Sequence, residues 1–201
     1  MGKIGIIGGA FDPIHNGHIH IAVAANKHLG LDEILFVPAN DFYEKEGGGL
    51  TEARHRREMV NLAVGSMPGV VVSDIELSVP KKTYTFETIE KLKEFYSTSE
   101  LYFIVGADTI YSMETWKEPE YVFRNVVTIV AKRDDYSDED VGKHIAYLAG
   151  KYNTDIRFLM GEKINVSSQA IRKRVRMGES IYGLVPDEVE EYILFNGLYE
   201  K

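Results

Sequence analysis

The sequence has no cysteine in 201 residues. That excludes a disulfide framework, a thiol nucleophile, a CxxC redox pair and any cysteine-ligated zinc site. A disulfide-free chain fits a reducing cytoplasm. Positive charge is scarce as well: 23 basic residues face 31 acidic ones, for a formal net charge of −8. Affinity for a phosphate backbone rests on clustered positive charge, so neither general nucleic-acid binding nor membrane-surface binding is expected. No apolar run approaches the roughly 20 residues of a membrane-spanning helix. The apolar stretch 3–11 is ended by Asp12 with no small-residue cleavage site after it, so no signal peptide is expected. Position 6 is isoleucine, not Ser or Thr, which breaks the myristoylation pattern.

What is present is enough for a core. Hydrophobic residues make up 44% of the chain, with 12 tyrosines and 9 phenylalanines, so global disorder is excluded. The length suits one globular domain spanning residues 1–201. Short apolar runs at 4–7, 34–37, 70–72, 101–105, 126–130 and 156–160 read as strands. Between them, helices are expected at 18–29, 51–64 and 86–96, with Thr85 as an N-cap, and another opening at Ser137. Helices at 168–177 and 187–195 follow, closed by Gly178 and Gly197. The glycine-rich stretch 40–50 reads as a loop. This alternation predicts an α/β fold: a Rossmann-like doubly wound parallel sheet with a short helical C-terminus. Such sheets bind ligands at the C-terminal strand ends where strand order reverses, here after the first and fourth strands.

The strongest local signal fills the first of those places. Gly8-Gly9-Ala10-Phe11-Asp12-Pro13-Ile14-His15-Asn16-Gly17-His18 lies between a strand and a helix. Gly8 and Gly9 let a ligand approach the backbone closely. His15 and His18, three apart at a helix opening, point their rings the same way. Free N–H groups and the helix dipole add to them, which makes a seat for a polyphosphate. The stretch is neither a Walker A loop nor a GxGxxG turn. Its histidine spacing, without an adjacent acid, does not make a zinc site.

A second seat of the same kind is Val166-Ser167-Ser168-Gln169-Ala170-Ile171-Arg172. Ser167 or Ser168 can cap a helix, and Arg172 follows one turn in, with a guanidinium suited to phosphate. Lys173, Arg174 and Arg176 read as a solvated face. Gly106-Ala107-Asp108, ending the fourth strand, offers either an acceptor for ribose hydroxyls or an ordinary helix cap. By position alone, Trp116 is a packing residue and Tyr84-Thr85 a plain cap.

Taken together, these segments resemble the nucleotidyltransferase superfamily with the HxGH signature, and within it the bacterial nicotinate-nucleotide adenylyltransferase family. The likeness runs in order through residues 3–18, Tyr84-Thr85-Phe86-Glu87-Thr88, Val105-Gly106-Ala107-Asp108, Trp116, Lys132-Arg133, residues 166–172 and Asn196-Gly197-Leu198-Tyr199. It implies adenylyl transfer from ATP to nicotinate mononucleotide, giving deamido-NAD and pyrophosphate in NAD biosynthesis, with Mg²⁺ carried mainly by substrate phosphates. It implies that His15, His18 and Arg172 grip the ATP phosphates. Gly8, Gly9, Ala10 and Phe11 would lie along ATP, Gly106 and Asp108 at its adenosine, and Ser167 and Ser168 near its phosphates. Asp12, Thr85 and Trp116 would meet the mononucleotide, the indole by stacking on the pyridine, and Lys45 and Arg133 would contact its phosphate. Where the family often has Pro-Pro-His-Lys, this chain has Phe42-Tyr43-Glu44-Lys45. No protein metal ligand is assigned, and homo-oligomerisation is left open.

Rival readings meet specific obstacles. A phosphopantetheine-type adenylyltransferase is usually shorter, and Trp116 with Tyr84-Thr85 argues against it. A class I aminoacyl-tRNA synthetase needs a longer chain, a Lys-Met-Ser-Lys-Ser motif and a basic surface. A purely nucleotide-binding module would not need His15, His18 and Arg172 together.

Overall fold

The computed structural model describes residues 1–40, 50–132, 137–159 and 166–200. Six strands, β1 (Lys3–Gly9), β2 (Glu33–Pro38), β3 (Val70–Val72), β4 (Glu100–Gly106), β5 (Val127–Ala131) and β6 (Ile156–Leu159), form one sheet. All pairings are parallel and the order is β3-β2-β1-β4-β5-β6. The chain moves outward from β1 to β3, then returns to β1's other side at β4. The reversal therefore lies between β1 and β4, as the sequence pattern predicts.

The crossover helices are α1 (Asn16–Leu29), α2 (Ala53–Val64), α3 (Thr85–Phe95), α4 (Ala107–Ile110), α5 (Pro119–Asn125) and α6 (Asp138–Tyr152). Two more, α7 (Ser168–Arg176) and α8 (Asp187–Phe195), follow β6. Alternating side chains feed two cores, one on each sheet face. Ile7, Phe36 and Ile104 pack with α1, α2, α7 and α8. Ile6, Leu35, Phe103 and Val105 pack with α3, α4, α5 and α6. Gly5 faces the first core, where a Cβ would lie 2.7 Å from Leu31 Cδ1, so a side chain there would have to displace Leu31.

Several expectations are corrected. α1 begins at Asn16 rather than at residue 18, and α2 at Ala53 rather than at Thr51. The cap of α3 is Tyr84, not Thr85: Glu87 reaches back and its Oε2 accepts the Tyr84 N–H at 3.0 Å. α4 and α5 have no counterpart in the periodicity. Pro119 opens α5 at its first position, after Glu118 in a left-handed conformation. Ser137 caps α6 as expected, accepting the Asp140 N–H, and Gly178 and Gly197 hold positive φ just past their helices.

Candidate active site

The loop from Ala10 to His15 carries the chain from the end of β1 into α1, beside the sheet's reversal point. His15 sits at the N-cap of α1 in extended conformation, buried to 6% exposure. Its N–H donates to His18 Nδ1 at 3.3 Å, and the His18 N–H donates to the His15 carbonyl at 2.9 Å. The two imidazoles stack with centroids 3.7 Å apart. Because His18 Nδ1 accepts a backbone N–H, the neutral ring carries its proton on Nε2 and presents a donor away from the backbone. Phe11, at φ 49°, places its ring edge-on to His18 at 5.1 Å and 5.6 Å from Phe36. That ring is core packing under His18, so Phe11 can meet a nucleotide through its backbone only. Gly8 is exposed at the end of β1, and a Cβ there would find only the Phe103 ring, at 3.9 Å.

α7 meets this loop directly. Ser167 caps it by accepting the Ala170 N–H, while the Ser168 hydroxyl donates to the Pro13 carbonyl at 2.8 Å. Arg172 Nη1 donates to the Asp12 carbonyl at 2.6 Å. The two candidate phosphate motifs, over 150 residues apart in sequence, are thus bonded at adjacent peptides. Arg174 turns away to the Ser180 carbonyl and Glu179, in keeping with a solvated face.

Under the loop lies a set of residues that the motifs do not announce. Arg56 of α2 is fully buried, its Nε donating to the Thr51 carbonyl (2.7 Å) and its Nη1 to those of Ala10 (2.9 Å) and Ala39 (2.6 Å). The signal for it is a cation in register with the buried Met59, Val60 and Val64 on the apolar stripe of α2. Asp12 is 4% exposed, and its carboxylate accepts the Tyr199 hydroxyl (2.7 Å) and the Thr51 N–H (3.3 Å). Asn16 donates through its N–H to the Leu184 carbonyl and through Nδ2 to that of Gly183, fixing α1 to the segment before α8.

The end of β4 forms the other wall. Gly106 caps α4, and Asp108 stands exposed in its first turn. Trp116 lies edge-on to Phe103, centroids 6.2 Å apart, and Phe103 is the ring that a Gly8 side chain would meet. Thr85 is the first residue of α3, where helical N–H groups lack partners within the helix. Around it, Lys117 Nζ lies 4.5 Å from the Tyr84 ring centroid. The Tyr84 N–H and the Lys81 charge hold the Glu87 carboxyl below the usual carboxylate range. Asn40 Nδ2 ties the segment before α3 through the Lys81 carbonyl and the Thr83 hydroxyl. Lys45 and Arg133 lie outside the described residues.

Chemically, the site offers donors and positive dipole ends. Among the described residues, no group of three or more His, Asp or Glu side chains could hold a metal ion. Imidazoles, a guanidinium and helix N-termini complement phosphate oxygens, not a bare cation. A Mg²⁺ ion carried on phosphates fits this donor set, because Mg²⁺ retains waters and needs few protein ligands. Among the described residues no helix is long and apolar enough to cross a membrane.

Known proteins are similar to this chain in sequence and in fold. Residues 6–174 match the cytidylyltransferase-like family model, which takes in both motifs. A protein of Lachnoclostridium phytofermentans named "probable nicotinate-nucleotide adenylyltransferase" is 37% identical over 99% of this chain and 100% of its own length. One of Carboxydothermus hydrogenoformans with the same name is 37% identical over 98% of each chain. In fold, the chain is similar to the Plasmodium falciparum nicotinic acid mononucleotide adenylyltransferase complexed with NaAD, at TM-score 0.77 and 22% identity, over 100% of this chain and 98% of that one. Full-length similarity at this level, with both motifs joined at one loop, places the chain in the nicotinate-nucleotide adenylyltransferase family.

Proposed function

We propose that this protein transfers the adenylyl group of ATP to nicotinate mononucleotide, releasing pyrophosphate and forming deamido-NAD. The observation that carries the reading is the junction of two helix N-termini at one loop: α1 with its stacked His15 and His18, and α7 with Arg172 and Ser168 on the carbonyls of Asp12 and Pro13. The relatives' names supply the substrates. We take residues 1–201 as one catalytic domain and place the reaction in the reducing cytoplasm, on a chain without cysteine.

The 5′-phosphate oxygen of the mononucleotide attacks the α-phosphorus in line. One P–O bond forms as the bond to the bridging oxygen breaks, and pyrophosphate leaves with the electron pair. A phosphate monoester has a second pKa near ~6, so the nucleophile is already dianionic and needs no general base. The protein's task is to hold two mutually repelling anions in line and to stabilise charge on the leaving group. In this reading His18 presents its Nε2 donor, His15 backs it by stacking, Arg172 offers its fork, and the positive dipole ends of α1 and α7 face the phosphates. Ala10, Gly8 and Gly9 pass the triphosphate along bare backbone, Asp108 and Gly106 meet the adenosine, and Thr85 and Trp116 flank the pyridine. Asp12, assigned to the mononucleotide by resemblance, acts through its backbone, since both carboxylate oxygens are engaged internally. Mg²⁺, when carried in on the phosphates, supplies charge neutralisation.

The test is pyrophosphate release from ATP plus nicotinate mononucleotide, compared with nicotinamide mononucleotide. We expect turnover with a preference for the acid. His18→Ala should lower kcat/KM at least ~10²-fold, the effect of losing one preorganised charge-stabilising donor. Parental turnover in that variant refutes the role of His18, and failure of the unmodified protein to release pyrophosphate refutes the function.

A further inference from the structure

The end of the chain returns to the phosphate loop. α8 stops at Asn196, after which the Gly197 N–H donates to the Leu194 carbonyl and the Leu198 N–H to the Ile193 carbonyl. With Gly197 at φ 58°, this is a Schellman turn, which reverses the backbone and brings Leu198 back onto the core. Tyr199, itself left-handed at φ 69°, is thereby aimed inward. Its hydroxyl donates to Asp12 Oδ1 at 2.7 Å and lies 3.9 Å from Met59 Sδ of α2. Asp12 Oδ2 accepts the Thr51 N–H at the entry to α2, and the Asp12 carbonyl accepts Arg172. One residue of the loop therefore gathers the C-terminal segment, the entry of α2 and the cation of α7.

Burial of the hydroxyl, followed by the Asp12 charge, pushes Tyr199 far above the ordinary tyrosine range, so it stays a donor wherever the enzyme works. The next peptide, Pro13, is held from the other side by Ser168, and two residues further on stands His15. Freeing the Asp12 carboxylate releases one of the fixed points of the segment that seats Arg172 and leads into the histidine pair. Tyr199 has no route to the phosphates of its own, since its hydroxyl is spent on Asp12.

We propose that Tyr199 is a positioning residue for adenylyl transfer: through Asp12 it presets the β1–α1 loop against which Arg172 is seated, so that the triphosphate meets fixed donors. This rests on reading the loop as the ATP phosphate site. The chemistry requires such fixing, since charge-stabilising donors are effective only when they need no reorganisation during reaction.

The experiment is Tyr199→Phe, which removes one oxygen and keeps the ring. Well below its unfolding temperature, with folding checked by circular dichroism, kcat/KM for ATP should fall about tenfold. In an Arg172→Lys background the same change should cost much less than tenfold, because the tyrosine acts through the loop that seats the guanidinium. A merely structural role would lower Tm equally in both backgrounds and leave kcat and KM for ATP unmoved, and that result overturns the proposal. Should Tyr199→Phe fail to fold, Asp12→Asn weakens the same contact from the other side, because a single neutral amide oxygen replaces the two carboxylate oxygens that accept the Tyr199 hydroxyl and the Thr51 N–H. It should show the same fall for ATP, and parental kcat and KM there also overturn the proposal. If the unmodified protein releases no pyrophosphate, the functional reading fails by itself. ATP titration by calorimetry then decides about Tyr199: about tenfold weaker binding in Tyr199→Phe upholds it and equal affinity overturns it.

Discussion

Replacing Arg56 by methionine should be among the most destabilising single changes in this protein, although the residue touches no substrate. The guanidinium is fully buried and three backbone carbonyls, those of Ala10, Ala39 and Thr51, accept its N–H groups at 2.6–2.9 Å. Methionine fills the same volume but donates nothing, and backbone carbonyls cannot themselves be exchanged for apolar groups. Each buried acceptor left without a donor costs roughly 1–3 kcal/mol. Against this stands the desolvation of the guanidinium, several kcal/mol that the methionine protein avoids. The low end of the carbonyl cost therefore governs, and the net loss is about 3 kcal/mol. For a chain of this length each kcal/mol corresponds to roughly 2–4 °C, so Tm should fall by about 10 °C.

Loss of the Arg56 charge also reaches Glu76. The Arg56 charge is among those that hold down the carboxyl of Glu76, whose Oε1 accepts the Thr88 hydroxyl at 2.7 Å. Without Arg56 the charged form of Glu76 is disfavoured further, so the loss in Arg56→Met should be larger at pH 8 than at pH 5. Urea unfolding at both values, followed by fluorescence of the single Trp116, reads both effects together. A loss under about 1 kcal/mol at both pH values would refute the reasoning, because it would mean that the three carbonyls find other donors at no cost.

Two further outcomes are expected. Burial raises Glu76 from 4.5 to about 7, against the Thr88 bond, so its stabilising protonated form is fully present below 4.5 and lost as pH rises to 7. The stability advantage of Glu76→Gln over the parent, read by urea unfolding, should then be absent near pH 4 and grow toward pH 7.5, up to about 3 kcal/mol; a gap that does not change with pH refutes it. Arg172→Lys should lower kcat/KM for ATP by about 10–100-fold with Tm nearly unchanged, because a point charge cannot both bond the Asp12 carbonyl and fork a phosphate. Parental kinetics would reduce Arg172 to a loop contact.

The strands were legible in the sequence because interior parallel strands read as unbroken apolar runs. Val127–Ala131 is buried at every position, and so is the middle of Glu100–Gly106. The switch point followed from the alternation of elements alone. α4 was not legible, since four residues carry no period, and Glu118-Pro119 reads as a turn although Pro119 opens α5. The Thr85 cap failed because the helix opens one residue earlier: the Glu87 carboxylate accepts the Tyr84 N–H, which makes Tyr84 the cap and leaves Thr85 in the first turn. At the site, His15 and His18 were legible because their spacing acts within one helical turn. The direction of the Phe11 ring was not legible because proximity to a motif says nothing about which way a ring points, and at positive φ this one turns into the core.

Arg56 and Tyr199 escape sequence reasoning for a different reason, and the reason bears on how the site works. Their partners are carbonyls and a carboxylate remote in sequence, the Tyr199–Asp12 pair being 187 residues apart. No spacing rule registers such a bond. Binding a triphosphate beside a second phosphate requires donors that do not relax as the anions approach, and local structure alone cannot supply that, because a loop of six residues between a strand and a helix has few internal bonds of its own. The fixing has to come from elements distant along the chain. Here it comes from α2 through Arg56, from α7 through Ser168 and Arg172, and from the terminal turn through Tyr199, all converging on residues 10–13. The motif names the groups that meet the phosphates, while the rest of the chain determines how rigidly those groups are held. Substitutions at Arg56 or Tyr199, outside both motifs, should therefore move ATP kinetics more than equally large changes on the solvated face of α7, such as Lys173→Ala.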